Sequence, residues 1–226
     1  MKMALTYCNC AVFIFQKLPV FLRVCPHTTQ PDWDSITIMQ PRLQPVAQLP
    51  PRQLAALAGD MVWSTKYDGV RVHLCSGGQV FTKSGYSIPY VQHPLEVPDG
   101  HILDAEMICQ RYIVDGQRKT YEDVMLRLRD HLGTGFVFRV IDVVTLPQPF
   151  QARYDWLCHR YGSSVVKQEP VHSLSAVYTI LHNALDRGDE GVVIRNRRAM
   201  YSHRRRSTIL FKLKDYDRLV NVDLAT

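Results

Sequence analysis

The sequence predicts an α+β fold built on antiparallel sheets. Three observations carry that expectation. From residue 61 the chain is dominated by short runs rich in β-branched and aromatic residues. Three segments of helical periodicity are interspersed among them, without strict strand–helix alternation. Turn signals close several of the gaps, Ser76-Gly77-Gly78 and Asp68-Gly69 among them.

The elements follow in order. Residues 1–35 read as an extension set apart from the rest. Ala11-Val-Phe-Ile-Phe15 is apolar, but Gln16 and Lys17 interrupt it, and the run is too short for a membrane helix. No small-residue cleavage site follows it, so no targeting signal is read and a cytoplasmic or nucleoid/nuclear location is expected. Residues 31–52 are rich in proline and predict extended chain. Strands are expected at Met61–Lys66, Val70–Cys75 and Gln79–Lys83, with a hairpin turn at Ser76-Gly77-Gly78. His101–Cys109 and Arg111–Val114 read as a further pair, and Phe136–Leu146 as a buried strand. Glu190–Asn196, Thr208–Lys214 and Leu219–Leu224 complete the strands. Helices are expected at Tyr121–Leu132, at Gln151–Tyr161 and from Ser173 to Gly188. In the third, Leu174, Val177, Leu181, Ala184 and Leu185 form one stripe, and Gly188 suits its end.

Composition narrows the function. The 226 residues suit one medium domain with an appendage, placed here at 36–226 and 1–35. The six cysteines show no CxxC pair and no zinc spacing, so reduced thiols are expected. The net charge of +6 favours a polyanionic partner. Six arginines fall within residues 195–206, a run that reads as a solvated face or as a grip on nucleic-acid backbone.

Chemistry concentrates at Lys66-Tyr67-Asp68-Gly69-Val70-Arg71, between two β-rich runs. A lysine is a nucleophile when its amine is deprotonated, and a strand end or turn would expose it. Taken alone the pattern also suits an ordinary hairpin. Downstream, Lys212 and Lys214 stand two apart on an expected strand, so they share a face and can converge on one phosphate. Glu106 and Glu190 come from separate strands and can meet a metal or ribose hydroxyls.

In order, Lys66-x-Asp-Gly-x-Arg71, Thr82-Lys83-Ser84-Gly85, Leu103-Asp104-Ala105-Glu106 and Ile141-Asp142-Val143-Val144 precede Glu190-Gly-Val-Val-Ile-Arg195. Arg206-Ser207-Thr208 with Leu210-Phe211-Lys212-Leu213-Lys214 closes the series. Together they resemble the covalent nucleotidyltransferase superfamily of ATP-dependent DNA ligases, RNA ligases and mRNA capping enzymes. The resemblance implies an antiparallel-sheet, ATP-grasp-like adenylation domain with Lys66 as the residue that becomes AMP-linked. It implies ATP and Mg2+ as cofactors. It places nucleotide contacts at Ser64, Thr65, Lys66, Arg71, Lys83, Glu106, Ile141, Val193, Lys212 and Lys214. Glu190, with Glu106, is implied as metal ligand, and Glu106 is the stronger ribose candidate. The family commonly has an aromatic residue where Ile141 stands, so the adenine is expected to rest on Ile141 and Val193. Lys83 replaces the family's arginine and lacks its two-pronged fork.

Nicked duplex DNA is the expected partner, with an RNA strand possible; Arg195, Arg204, Arg205 and Arg206 are the expected contacts. The Arg206-Ser-Thr block favours a DNA ligase over an RNA ligase, and Leu213 between the late lysines disfavours a capping enzyme. A non-catalytic nucleic-acid-binding relative is the alternative of another class. Twelve residues follow Lys214, too few for an OB barrel. A domain with no C-terminal OB-fold is therefore expected, a monomer with no membrane contact, completed by a separate OB-fold or DNA-binding partner.

Overall fold

The computed structural model describes residues 42–45, 60–110, 113–114, 117–118, 120–201 and 206–214. The 1–35 extension and the expected strand Leu219–Leu224 lie outside them. Strands β1 (Arg42–Pro45), β2 (Met61–Lys66), β3 (Val70–Leu74), β4 (Val80–Thr82) and β5 (Leu103–Cys109) come first. A two-residue hairpin follows, β6 (Ile113–Val114) and β7 (Gln117–Arg118). Then come α1 (Tyr121–Arg129), β8 (Phe136–Val143), α2 (Phe150–Tyr161), β9 (Glu169–Pro170), α3 (Leu174–Asp186), β10 (Gly191–Asn196) and β11 (Arg206–Leu213).

The strands form two larger sheets. The first has the order β1-β11-β10-β2-β9, the second β4-β3-β5-β8. Pairing is antiparallel throughout except for β1 on β11, which is parallel. One sequence expectation is corrected and one strand was not anticipated. Ile113–Val114 pairs with Gln117–Arg118, not with the strand ending at Cys109, which lies between β3 and β8. The two-residue β9 is too short for any periodicity to announce it.

Each sheet has one apolar face. On the first, Met61, Val192, Ile194, Phe211 and Leu213 pack with Val177, Leu181 and Ala184 of α3. On the second, Val72, Leu74, Ala105, Met107, Phe138 and Val140 pack with Val124 of α1 and Leu157 of α2. Full burial of each Val, Leu, Ile, Met or Phe side chain among them stabilises by about 1.5–3 kcal/mol. The helices end as their sequences direct. Ser173 Oγ accepts from the Ala176 amide at 3.1 Å, capping α3. Gly188, at φ 75°, follows its C-terminus.

The opposite faces are polar. Ser64, Lys66, Val193 and Lys212 share one face of the first sheet, because Val193 lies opposite both Ser64 and Lys212. Arg71, Glu106 and Arg139 form a cross-strand row on the second. The polar faces meet where Arg195 Nη1 donates to Asp142 Oδ2 at 2.6 Å.

Gly191 opens β10 at φ 146°, and an added Cβ would lie 1.9 Å from the Leu213 carbonyl oxygen. Gly191→Ala is expected to destabilise by about 3 kcal/mol through overpacking and strain. Urea unfolding measures this; a change below ~0.5 kcal/mol would contradict so close an approach of β10 and β11.

Candidate active site

Lys66 is the last residue of β2, and β3 begins at Val70 in the other sheet. Tyr67-Asp68-Gly69 is therefore a link between sheets, not the tip of a hairpin. A Cβ on Gly69 would sit 2.4 Å from the Met107 carbonyl oxygen and 2.7 Å from Ile108 Cγ2. Only glycine lets the link pass so close to β5. The Asp68 carboxyl accepts from the Tyr121 amide at the start of α1. Burial, and then the nearby Glu190, push that carboxyl upward.

Glu190 stands at the centre. One carboxylate oxygen touches Lys66 Nζ and the other touches Lys214 Nζ. Lys66 and Glu190 are mostly buried, whereas Lys214 reaches solvent. Lys212 lies in the same field. Burial, Lys214, Lys66 and Lys83 lower its amine below the ordinary lysine value, and Glu190 opposes them. Four lysines from β2, β11 and the turn after β4 thus converge on one region. A polyphosphate is the complement of such a field.

Glu106 faces this region from the second sheet and accepts from the Gly69 amide. Burial is the main cause that raises its carboxyl to about 7, against the opposing pull of Arg71 and Lys66. The folded protein therefore holds a proton on Glu106 that the unfolded chain releases near pH 4.5. This contribution to stability is fully present below about 4.5 and is lost as pH rises through about 7. In metal-free protein, Glu106→Gln is expected to gain thermal midpoint relative to the parent between pH 5 and pH 8. Parallel pH profiles would contradict the shift.

Other expected contacts fall in several places. Ser64 is buried on the lysine face, and Val193 is half-buried beside it. Thr65 lies opposite Val192 on the α3-packed face, so its side chain is turned away from the lysines. Ile141 is the residue left over at the bulge where Asp142 pairs with Asp104 and Val140 with Ala105. Phe138 is in the core, its ring edge-on to His93 at 6.0 Å. Lys83 is exposed in the turn that Gly85 closes onto Thr82.

Arg71 is committed to Asp104. Its Nε donates to Oδ1 at 2.8 Å and its Nη2 donates to Oδ2. Burial alone would raise the Asp104 carboxyl, but Arg71 outweighs it and holds the group below its usual value.

Arg195 requires a correction. It is 6% exposed and is not a surface contact for nucleic acid. Its guanidinium lies 4.2 Å from the Phe150 ring centroid and donates to Asp142. Arg153 of α2, 2% exposed, donates to the same carboxylate at 2.7 and 2.9 Å. Arg204 and Arg205 lie outside the described residues, and of Arg206 only its place at the start of β11 is described. Sequence reasoning missed Arg153 and Tyr201; Arg153 reaches Asp142 from the next helix and Tyr201 reaches Asp104 from 97 positions away, and no spacing announces either.

Among the described residues no group of three His, Cys, Asp or Glu side chains is poised to hold a metal. Magnesium is ordinarily held by one or two carboxylates with substrate phosphates completing its shell. Glu190 and Glu106, set among phosphate-complementary lysines, fit that donor set.

No protein-family model matches the chain, and the search of curated proteins returns no match. Solved ligase structures do share its fold. A Lig E DNA ligase, studied for DNA binding with a minimal scaffold, aligns at TM-score 0.57 with 19% identity, over 80% of this chain and 70% of that one. Mycobacterial DNA ligase D, complexed with ATP and MES, aligns at 0.57 with 20% identity, over 81% of this chain and 61% of that one. An archaeal ATP-dependent RNA ligase aligns at 0.52 with 20% identity, over 76% of this chain and 47% of that one. The chain thus has the fold of the adenylation domains of ATP-dependent ligases, and spans less than two thirds of the ligase D chain.

Proposed function

We propose that this chain is the core of an ATP-dependent polynucleotide ligase, acting on 5′-phosphate/3′-hydroxyl nicks in duplex DNA. The observation that carries the reading is the contact of one carboxylate, Glu190, with Lys66 and Lys214 in a field shared with Lys212. A nucleophile, its charge partner and phosphate-binding cations thereby share one face.

Lys66 Nζ would attack the α-phosphorus of ATP, forming an N–P bond as the bond to pyrophosphate breaks. Glu190, in contact with Nζ, would hold the amine in line, and the amine would give up its proton to solvent before attack. Lys212 and Lys214 would neutralise charge on the α-phosphate. AMP then passes to the 5′-phosphate of the nick, and the 3′-hydroxyl attacks that phosphorus and expels AMP. Magnesium, held by Glu190 and Glu106, would supply Lewis-acid neutralisation of the phosphate oxygens. Arg204, Arg205 and Arg206 would bind backbone phosphates, with affinity falling steeply as salt rises. The proposed core occupies residues 36–226, with residues 1–35 as an extension to it.

An RNA strand is the second reading, favoured by the fold match to the archaeal RNA ligase. Nick sealing with DNA and RNA strands on either side of the nick separates the two. Lys66→Ala is expected to seal no nick from ATP yet still to seal a preadenylated one. Failure of the parent chain to seal either would leave a nucleic-acid-binding relative as the better account.

A further inference from the structure

We infer that Tyr201 is a positioning residue for Arg71, acting through Asp104 to present the guanidinium to the nucleotide. The inference rests on the ligase reading, in which Arg71 meets the nucleotide.

Tyr201 lies between β10 and β11, and the segment before it is fastened to the start of α2. The Phe150 amide donates to the Ala199 carbonyl at 2.8 Å, and the Gln151 amide to the Arg197 carbonyl at 2.8 Å. Arg153 Nη1 adds a hydrogen bond to the Ala199 carbonyl at 3.1 Å. From this anchored position the Tyr201 hydroxyl donates to Asp104 Oδ2 at 2.9 Å. The carboxylate is fully buried and already holds the Nε–Nη2 edge of Arg71. A third donor from another element fixes the plane of that carboxylate. The plane of a two-pronged partner follows it. Burial, then Asp104 beside it, keeps the phenol protonated, so the hydroxyl remains a donor. Among the described residues the hydrogen bonds of Arg71 leave Nη1 unused, and Arg71 stands opposite Glu106 in register. Tyr201 therefore sets the angle at which Nη1 meets a nucleotide oxygen beside Glu106.

The test uses an ATP analogue with a methylene bridge between the α- and β-phosphates, which binds without transferring AMP. Its affinity is measured by titration calorimetry for the parent chain, Tyr201→Phe, Asp104→Asn, Arg71→Lys and the Tyr201→Phe/Arg71→Lys pair. Tyr201→Phe keeps the ring and removes one hydroxyl. It is expected to weaken binding about tenfold, as is Asp104→Asn. In the Arg71→Lys background, Tyr201→Phe should add less than about twofold. A purely structural role predicts the same loss in both backgrounds. That result, or binding by Tyr201→Phe within about twofold of the parent, would overturn the inference. A parent chain that binds the analogue but takes no label from ATP would sink the ligase reading, leaving Tyr201 to be judged on the affinities. A parent chain that binds no analogue would overturn both.

Discussion

Replacing Lys66 with alanine is expected to abolish covalent labelling from α-labelled ATP, by roughly a thousandfold or more, without unfolding the protein. The chemical reason is direct: among the described residues, Lys66 is the side chain in contact with Glu190 that stands at the link between the two sheets. Lys214 shares the carboxylate but is half-exposed at the end of β11. Lys66→Arg should fail equally, since a guanidinium keeps its charge and is not a nucleophile at working pH. Stability should change by only about 1 kcal/mol, because Glu190 retains Lys214 as counter-charge. Autoradiography of the denatured protein, with circular dichroism as the folding control, reads both quantities. Label retained by Lys66→Ala would remove the central residue from the mechanism.

The second large effect is structural. Asp142 is buried between two buried arginines, Arg153 and Arg195, from α2 and β10. Asp142→Asn would keep the shape and leave two guanidiniums without their counter-charge. A cost of about 3–5 kcal/mol is expected, read as a lower urea midpoint. Arg195→Met distinguishes this arrangement from a surface one. If Arg195 gripped nucleic acid, the substitution would weaken DNA binding and spare stability. Placed as it is beneath Phe150, it should lower stability and leave the salt slope of DNA binding unchanged.

The same residues mark how far the sequence can be read. Lys66, Glu190, Lys212 and Lys214 were legible because two-residue strand periodicity puts Lys212 and Lys214 on one face, and because the motifs around Lys66 and Glu190 stand in the order of the family they resemble. The helix α3 was legible from its apolar stripe, and Ser173 with Gly188 bounded it. Arg195 was not. A charged residue in an arginine run reads as solvated, and its partner Asp142 lies 53 positions away. Thr65 shows the converse limit: resemblance places it beside the nucleotide, while strand alternation turns its side chain to the α3 face. The parallel pairing of β1 on β11 depends on a long-range return of the chain that no local signal encodes.

The most direct measurement is peptide mapping of the protein after incubation with ATP and magnesium under non-acidic conditions that preserve a phosphoramidate. The account predicts one AMP adduct, on the peptide carrying Lys66 and localised to its Nζ, lost when pyrophosphate is added back. An adduct on Lys212 or Lys214, or none on folded protein that binds ATP, would contradict it.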